Sequence, residues 1–263
     1  MRSTAWTLTA LLCAAGAAPA SNDFTVVSKN THNGKPSATT TNYLSDDHAR
    51  MGSAEHDVII DVKAGTMTTI DHQKKTYYTV TKTDIDEMNA KMKEQMSSPE
   101  AKKGMEALQG MSAGMAASAE VKKTGETRKV GPYRCEVWEI KMTPYSSMKE
   151  CVTSEVKYPA HAYEAFKTFG ENMRGASPFA PIAKSGESLV DKMKAIQGFP
   201  VATSMTSDIM GTKTTTETEV IEISRASIPA STWEIPAGYA KVDNPMKKAF
   251  DRQGRGKPVR PLD

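Results

Sequence analysis

Residues 84–120 read DIDEMNAKMKEQMSSPEAKKGMEALQGMSAGMAASAE, a polar, methionine-bearing stretch set in a chain otherwise written in strand-like alternation. Asp84, with Glu87 three residues on, reads as a capping box that opens a helix. At 100° per residue Ile85, Met88, Met92 and Met96 fall within a stripe of about 80°, and Glu87, Lys91, Lys93 and Glu94 lie away from it. Ser98-Pro99 then ends one helix and starts another, because proline is tolerated at the first helical position. Ala101, Met105 and Leu108 continue the apolar face, and GMSAGMAAS loosens into a glycine-containing tether. A methionine stripe of this kind packs a helix on a sheet. The flexible thioether also suits a surface that must change partners, such as a lid over an apolar ligand.

Working outward, residues 24–81 break into short pieces, DFTVVSKN, SATTTNYL, HARMGSA, HDVIIDV, TMTTID and KTYYTVT, separated by the turn formers NGKP, SDD, KAG and DHQKK. This spacing predicts an antiparallel meander. Strands resume after the helix in AEVKKTGETRKV, YRCEVWEIKM and ECVTSEVKY, and a second helical block is expected near 159–197. FPVATSMTSDIM and KTTTETEVIEIS meet at Gly211 as a hairpin, and TWEIPAGYAKV closes the domain. Strands interrupted by helices make an α+β arrangement, with helices covering one face of an antiparallel sheet.

The ends carry different information. Met1 to Ala20 has a positive start at Arg2, an apolar centre and a small-x-small site at Ala18-Pro19-Ala20, the pattern of an export signal. The expected organisation is therefore a signal peptide over 1–20, a single domain over 21–243 and a flexible basic tail over 244–263. Leu12 before Cys13 argues against a lipid anchor. Removal of the signal leaves Cys135 and Cys151 in an oxidising compartment, where an even pair predicts a disulfide.

Composition excludes several classes. In the 263-residue chain a formal net charge of +3 is too weak to imply nucleic acid, and basic and aromatic residues do not interleave as a stacking platform would. No apolar run after residue 20 reaches the length of about 18 needed for a membrane span. GMSAG at 110–114 matches a nucleophile-elbow pattern with Ser112, but lacks the preceding strand and following helix that the strained turn requires. Asp47-His48, Glu55-His56 and Asp71-His72 sit at strand ends without metal-ligand spacing, and the methionines lack a nearby histidine for copper. Lys35 follows Gly34 without the earlier glycine of a phosphate loop. No catalytic residue, metal site or cofactor is expected, and no enzyme.

Three stretches together, YLSDDHARMGSAEHDVIIDVKAGTMTTIDHQKKTYYTV, VGPYRCEVWEI followed by ECVTSEV, and WEIPAGY, resemble a family of exported bacterial proteins of unknown function similar to the lipoprotein-localisation superfamily (LolA/LolB-like, including RseB-type sensors). The resemblance covers roughly Phe24 to Val242, with the insertions near 84–118 and 159–197 between strands. It implies a strongly curved, unclosed β-barrel whose open concave side is covered by helices, and an apolar cavity that takes acyl chains. The expected function is a periplasmic or secreted binding or carrier module for a lipid-like or other apolar ligand. Its contacts would be Met88, Met92, Met96, Met105 and Leu108 from the lid, and Val58, Ile60 and Tyr78 from the sheet. The alternative is an envelope stress-sensing or protein-interaction module of the same fold, with a filled interior and an envelope protein partner.

Overall fold

The structure, a computed structural model, describes residues 22–95, 97, 99, 102–104, 106–107, 110, 119–142, 146–159, 192–193, 195–209, 211–245 and 247–248. Six hairpin-linked strands come first: β1 (Phe24–His32), β2 (Lys35–Leu44), β3 (His48–Gly52), β4 (His56–Asp61), β5 (Thr66–Asp71) and β6 (Thr76–Thr81). Asn33 and Gly34 turn the first hairpin with φ of 50° and 74°, the left-handed pair that a two-residue loop between twisted strands demands. Helix α1 (Lys82–Gln95) follows, then β7 (Ala119–Val130), β8 (Tyr133–Met142), β9 (Ser146–Thr153), β10 (Phe199–Ile209), β11 (Thr212–Ser224) and the two-residue β12 (Ala240–Lys241).

All twelve strands form one strongly curved, unclosed sheet in the order β12-β6-β5-β4-β3-β2-β1-β11-β10-β9-β8-β7. Every pairing is antiparallel except that of β12 with β6. The order explains the interruption at Asp84. β6 and β7 are consecutive in the chain yet lie near opposite edges, ten inter-strand spacings apart, or roughly 48 Å measured along the sheet at about 4.8 Å per strand. Segment 82–118 is the connection between them, and no hairpin could make it.

The start of α1 differs from the sequence expectation by three residues. Thr81 is the cap: its Oγ1 accepts from the Asp84 amide at 3.1 Å, and Asp84 Oδ2 accepts from the Thr81 amide at 2.9 Å and from the Thr81 hydroxyl at 2.7 Å. The reciprocal box is Thr81-x-x-Asp84 rather than Asp84-x-x-Glu87. The β-branched threonine closes β6 and opens the helix in one residue, which displaced the reading of Asp84 as the cap. Glu87 is instead bonded by Lys247, at 2.8 Å.

The main core lies where the two halves of the sheet join. Phe24, Val26, Leu44 and Ala49 pack with Val130, Val137, Phe199, Val201 and Val220. The Phe24 and Phe199 rings meet edge-on at 5.5 Å, with the Arg225 guanidinium 4.6 Å from the Phe24 ring centre. Cys135 on β8 and Cys151 on β9 form the expected disulfide, both buried in this cluster. The free edge at β7 carries Lys122, Lys123, Glu126, Arg128 and Lys129, with a register shift between Lys123 and Thr127 around Gly125. Charge and irregularity on an edge discourage pairing with other chains.

After β11 the chain runs back across the sheet as a strap. The Ile228 amide donates to Asp23 Oδ2 at 2.7 Å, a 3-10 turn covers Ala230–Trp233, and Ala240 and Val242 donate to Lys75 and Tyr77 carbonyls at 2.9 and 2.8 Å. The sequence placed the close of the domain here, at TWEIPAGYAKV. Pro236 and Gly238 (φ 83°) confine its strand to the two residues of β12.

Two outcomes follow from this architecture. Replacing both Cys135 and Cys151 by serine should lower unfolding free energy by about 3 kcal/mol, the scale for closing a loop of this length, read by urea denaturation against the oxidised protein. Asp84 is held below the ordinary aspartate range, first by the Thr81 hydroxyl, then by the Thr81 amide and Lys247. A lowered folded-state value adds stability at pH above the unfolded value, lost as pH falls through the folded one. Denaturation midpoints between neutral pH and pH 2 should therefore fall less steeply in Asp84→Asn than in the parent, the variant being less stable at neutral pH.

Candidate functional site

Register assigns the strand faces, because residues directly opposite in an antiparallel pair share one. On one face Met51, Val58, Thr69 and Tyr78 line up across β3 to β6, beside Ala49, Ile60, Met67 and Val80. Ala49 also pairs with Leu44, and Leu44 with Phe24, so this face is continuous with the main core. Val58, Ile60 and Tyr78, the three sheet residues expected to meet a ligand, thus stand together. Val58, Ile60, Met67 and Tyr78 are half-buried, and Met51 is 44% exposed. Burial is interrupted along the row: Ala49 and, at the far end, Val80 are buried, while Val58, Ile60, Met67 and Tyr78 between them are only half-buried.

Met88 lies on α1 and is half-buried, with α1 adjoining β6. Met92 is on the same helix, its side chain outside the described residues, as are Met96, Met105, Leu108 and Ser112 altogether. Asn89, one position beyond Met88, is 8% exposed, and its side-chain nitrogen has no hydrogen-bond partner among the described residues.

The opposite face of the same strands mixes charged and polar side chains with the buried Ile59 and Ile70, and the strap crosses it. Here Gly52, Asp57, Ile70 and Tyr77 align, next to Arg50, Ile59, Thr68 and Thr79. Asp57, 8% exposed, takes three bonds on one oxygen, Oδ2. Arg50 donates from Nε at 2.8 Å and also from Nη2, and His72 Nε2 lies at 2.9 Å. These two residues reach up to the strap: Arg50 Nη1 donates to the Thr232 carbonyl at 2.7 Å, and His72 Nδ1 meets the Tyr239 hydroxyl at 2.8 Å. One carboxylate therefore fixes the strap at two points.

A second polar group lies beside it. His48 stacks on Trp233 with ring centres 5.3 Å apart, and its Nδ1 lies 2.7 Å from Asp47 Oδ1. The Lys63 ammonium bonded to Asp47, aided by His48 and opposed by partial burial, brings the Asp47 carboxyl down to about 2. The Asp-His neighbours weighed as metal ligands thus serve separate contacts, His48 under Trp233 and His72 under Tyr239. Among the described residues no group of three or more His, Cys, Asp and Glu side chains is placed to hold a metal, and no helix is long and apolar enough to cross a membrane.

Gly52 has a steric role here. A Cβ there would lie 2.0 Å from Asp57 Oδ1 and 2.5 Å from the His56 carbonyl oxygen, so only glycine lets the next strand approach. Around it opens a cleft of about 320 Å³ lined by Thr39, Thr41, Tyr43, Arg50, Ser53 and Asp57, with Thr232 of the strap among its walls. A larger cleft of about 380 Å³ spans β7 to β11 and β1, lined by both signs of charge, including Lys29, Arg128, Lys149, Glu217 and Glu219. Sequence reasoning weighed His72 only beside Asp71 as a metal ligand and missed Arg50, Asp57, His72 and Tyr239 as a set. The usable signal was a charged residue, Asp57, directly preceding the apolar run Val58-Ile59-Ile60 within a strand.

No curated protein matches the chain. Among solved structures it is similar to PNGF-II (10% identity, TM-score 0.38, covering 89% of this chain and 33% of that one), so the chain spans about a third of that protein's length. It is also similar to an uncharacterised conserved protein of Thermus thermophilus (6% identity, TM-score 0.43, 84% and 90% covered). A third likeness is to a domain described as an outer membrane lipoprotein-sorting protein domain, from Vibrio parahaemolyticus (8% identity, TM-score 0.27, 81% and 89% covered). Residues 29–239 match the family described as a domain of unknown function, DUF4412, which takes in most of the sheet and the strap as far as Tyr239, and the chain belongs to that family.

Proposed function

We infer that the protein is an exported, non-enzymatic binding module, periplasmic or secreted, that holds a lipid-like or other apolar ligand between the sheet and the 82–118 connection. The observation that carries this reading is the contrast between the two faces of β3 to β6. One is crossed by the strap, which Arg50 and His72 bond; the other keeps the apolar side chains Val58, Ile60, Met67 and Tyr78 only half-buried, with Met51 open. An acyl chain laid along that row would gain about 0.8 kcal/mol per buried methylene. Met88 and the methionines after it supply a pliable cover, and a concave apolar surface with few polar groups is where such ligands bind.

A second reading has its own support. Two clefts on the sheet are lined mainly by polar and charged side chains, and the residues around Phe24 form a buried apolar cluster. Both suit an envelope stress-sensing or protein-interaction module of the same fold with no small ligand.

Organic extraction of protein purified from its own envelope, followed by mass spectrometry, should yield a bound lipid-like molecule, and a fluorescent fatty acid should bind the emptied protein. Val58→Glu places a charge in the row and should weaken that binding at least tenfold while leaving the far-ultraviolet circular dichroism unchanged. If extraction is repeatedly empty and no fatty acid binds, the carrier reading fails. Capture of an envelope protein that is lost when the exposed residues of α1 are altered would then favour the second.

A further inference from the structure

On the strap-covered face, Asp57 and Arg50 are left with unused hydrogen-bonding capacity beside one cleft. All three bonds to Asp57 end on Oδ2, and Oδ1 has no hydrogen-bond partner among the described residues. Oδ1 leans over Gly52, within 2.0 Å of where a Cβ would stand, and Asp57 lines the cleft of about 320 Å³. A guanidinium has five N–H donors. Arg50 uses one each from Nε, Nη1 and Nη2, leaving two without an acceptor among the described residues, and Arg50 lines the same cleft.

The side chains of Arg50 and Asp57 are only 17% and 10% exposed, so the cleft is where these spare groups can meet a partner. Neither residue is among the buried side chains left without a partner, so the cleft gives these spare groups access to solvent, and a ligand that displaces that water gains where it reproduces the hydrogen bonds. Around them stand hydroxyls. Thr39, Thr41 and Tyr43 alternate along β2, with Ser53 beyond Gly52. The ion pair cancels its own charge, so the cleft offers a fixed acceptor beside fixed donors with little net field. A sugar hydroxyl is both donor and acceptor, and two adjacent ones can give a proton to Asp57 Oδ1 while accepting from Arg50. A carboxylate would accept from Arg50 but face Asp57 Oδ1 as a like charge. The volume lies at the small end of ligand sites, room for one sugar ring.

We propose that the Arg50–Asp57 cleft beneath the strap is a binding site for a neutral carbohydrate unit, read by Asp57 Oδ1, the spare Arg50 N–H groups and the Thr39, Thr41 and Tyr43 hydroxyls. It lies on the face opposite the apolar row and does not depend on a lipid being carried. Because Arg50 also holds the Thr232 carbonyl, occupancy is felt by the strap.

The full mature chain, labelled with nitrogen-15, is titrated separately with D-glucose, D-galactose, D-mannose, N-acetyl-D-glucosamine and sodium acetate. At least one of the sugars should give saturable, millimolar shifts confined to residues 39–57 and the strap around Thr232. Thr39→Val/Thr41→Val removes two hydroxyls without touching the Arg50–Asp57 pair and should weaken binding about tenfold, with the rest of the spectrum unchanged. No saturable shift with any of the four sugars, undiminished binding by the double variant, or acetate binding the cleft more tightly than every sugar would each overturn the proposal. A fatty acid added to the same sample reports on Val58, Ile60 and Tyr78, so failure of the carrier reading is seen separately.

Discussion

The buried carboxylate of Asp57 is the constraint on which the layout of β3 to β6 depends. A charge in that position is tolerated only because Arg50 and His72 converge on one of its oxygens, and breaking such a pair leaves an uncompensated partner, at a cost on the order of 3–5 kcal/mol. The same two partners hold Thr232 and Tyr239. An unfavourable burial is thereby turned into a positional device. The strap must lie across this face, at a height set by two side chains, for the carboxylate to be satisfied. With Gly52 admitting the close approach of Asp57, sheet and strap become one layer.

That arrangement has a consequence at the edges. An unclosed sheet leaves unpaired backbone at both ends. At the β7 end, charge and a register shift blunt it. At the β6 end the strap supplies two residues of parallel strand, the Ala240 amide on Lys75 and the Val242 amide on Tyr77, and then Lys247 reaches Asp84 and Glu87 on α1. The C-terminal segment therefore ties β3, the β6 edge and the first turn of α1 in sequence. The long connection from β6 to β7 begins at a helix turn anchored twice, by Thr81 within the chain and by Lys247 from the strap.

Much of this was legible from residue pattern. The strand pieces between Phe24 and Thr81, the Asn33-Gly34 and Gly211 turns and the Cys135–Cys151 bond all rest on local chemistry: period-two alternation, left-handed turn residues and an even cysteine pair. What resisted reading was non-local. Which face of β4 points inward is fixed by the β3–β4 and β4–β5 registers together with the strap, and HDVIIDV is apolar enough on both sides to hide it. Asp57 looks like an ordinary polar residue near a strand end until Arg50, seven residues earlier, and His72, fifteen later, are brought to it. Tyr239 lies 167 positions from His72, a separation no local pattern spans. The misplaced cap has the same origin on a smaller scale: Thr81 belongs to strand and helix at once.

The two faces of β3 to β6 therefore differ in how their burial is completed. Across the apolar row, loss of contact costs only dispersion and area, and a partially covered surface of this kind can exchange one apolar neighbour for another at nearly constant free energy. Under the strap, hydrogen bonds are directional, and an imperfect partner leaves a charged group unmet. Adaptability suits the first face and discrimination the second. These four strands of the sheet separate them by one backbone thickness, and side chains alternate in direction along each strand, so the pairing that sets Asp57 and Ile59 on one side places Val58 and Ile60 on the other. Any shift of register by one residue would exchange the two chemistries. The Asp57 network, which admits one register only, thus also specifies where the apolar row lies.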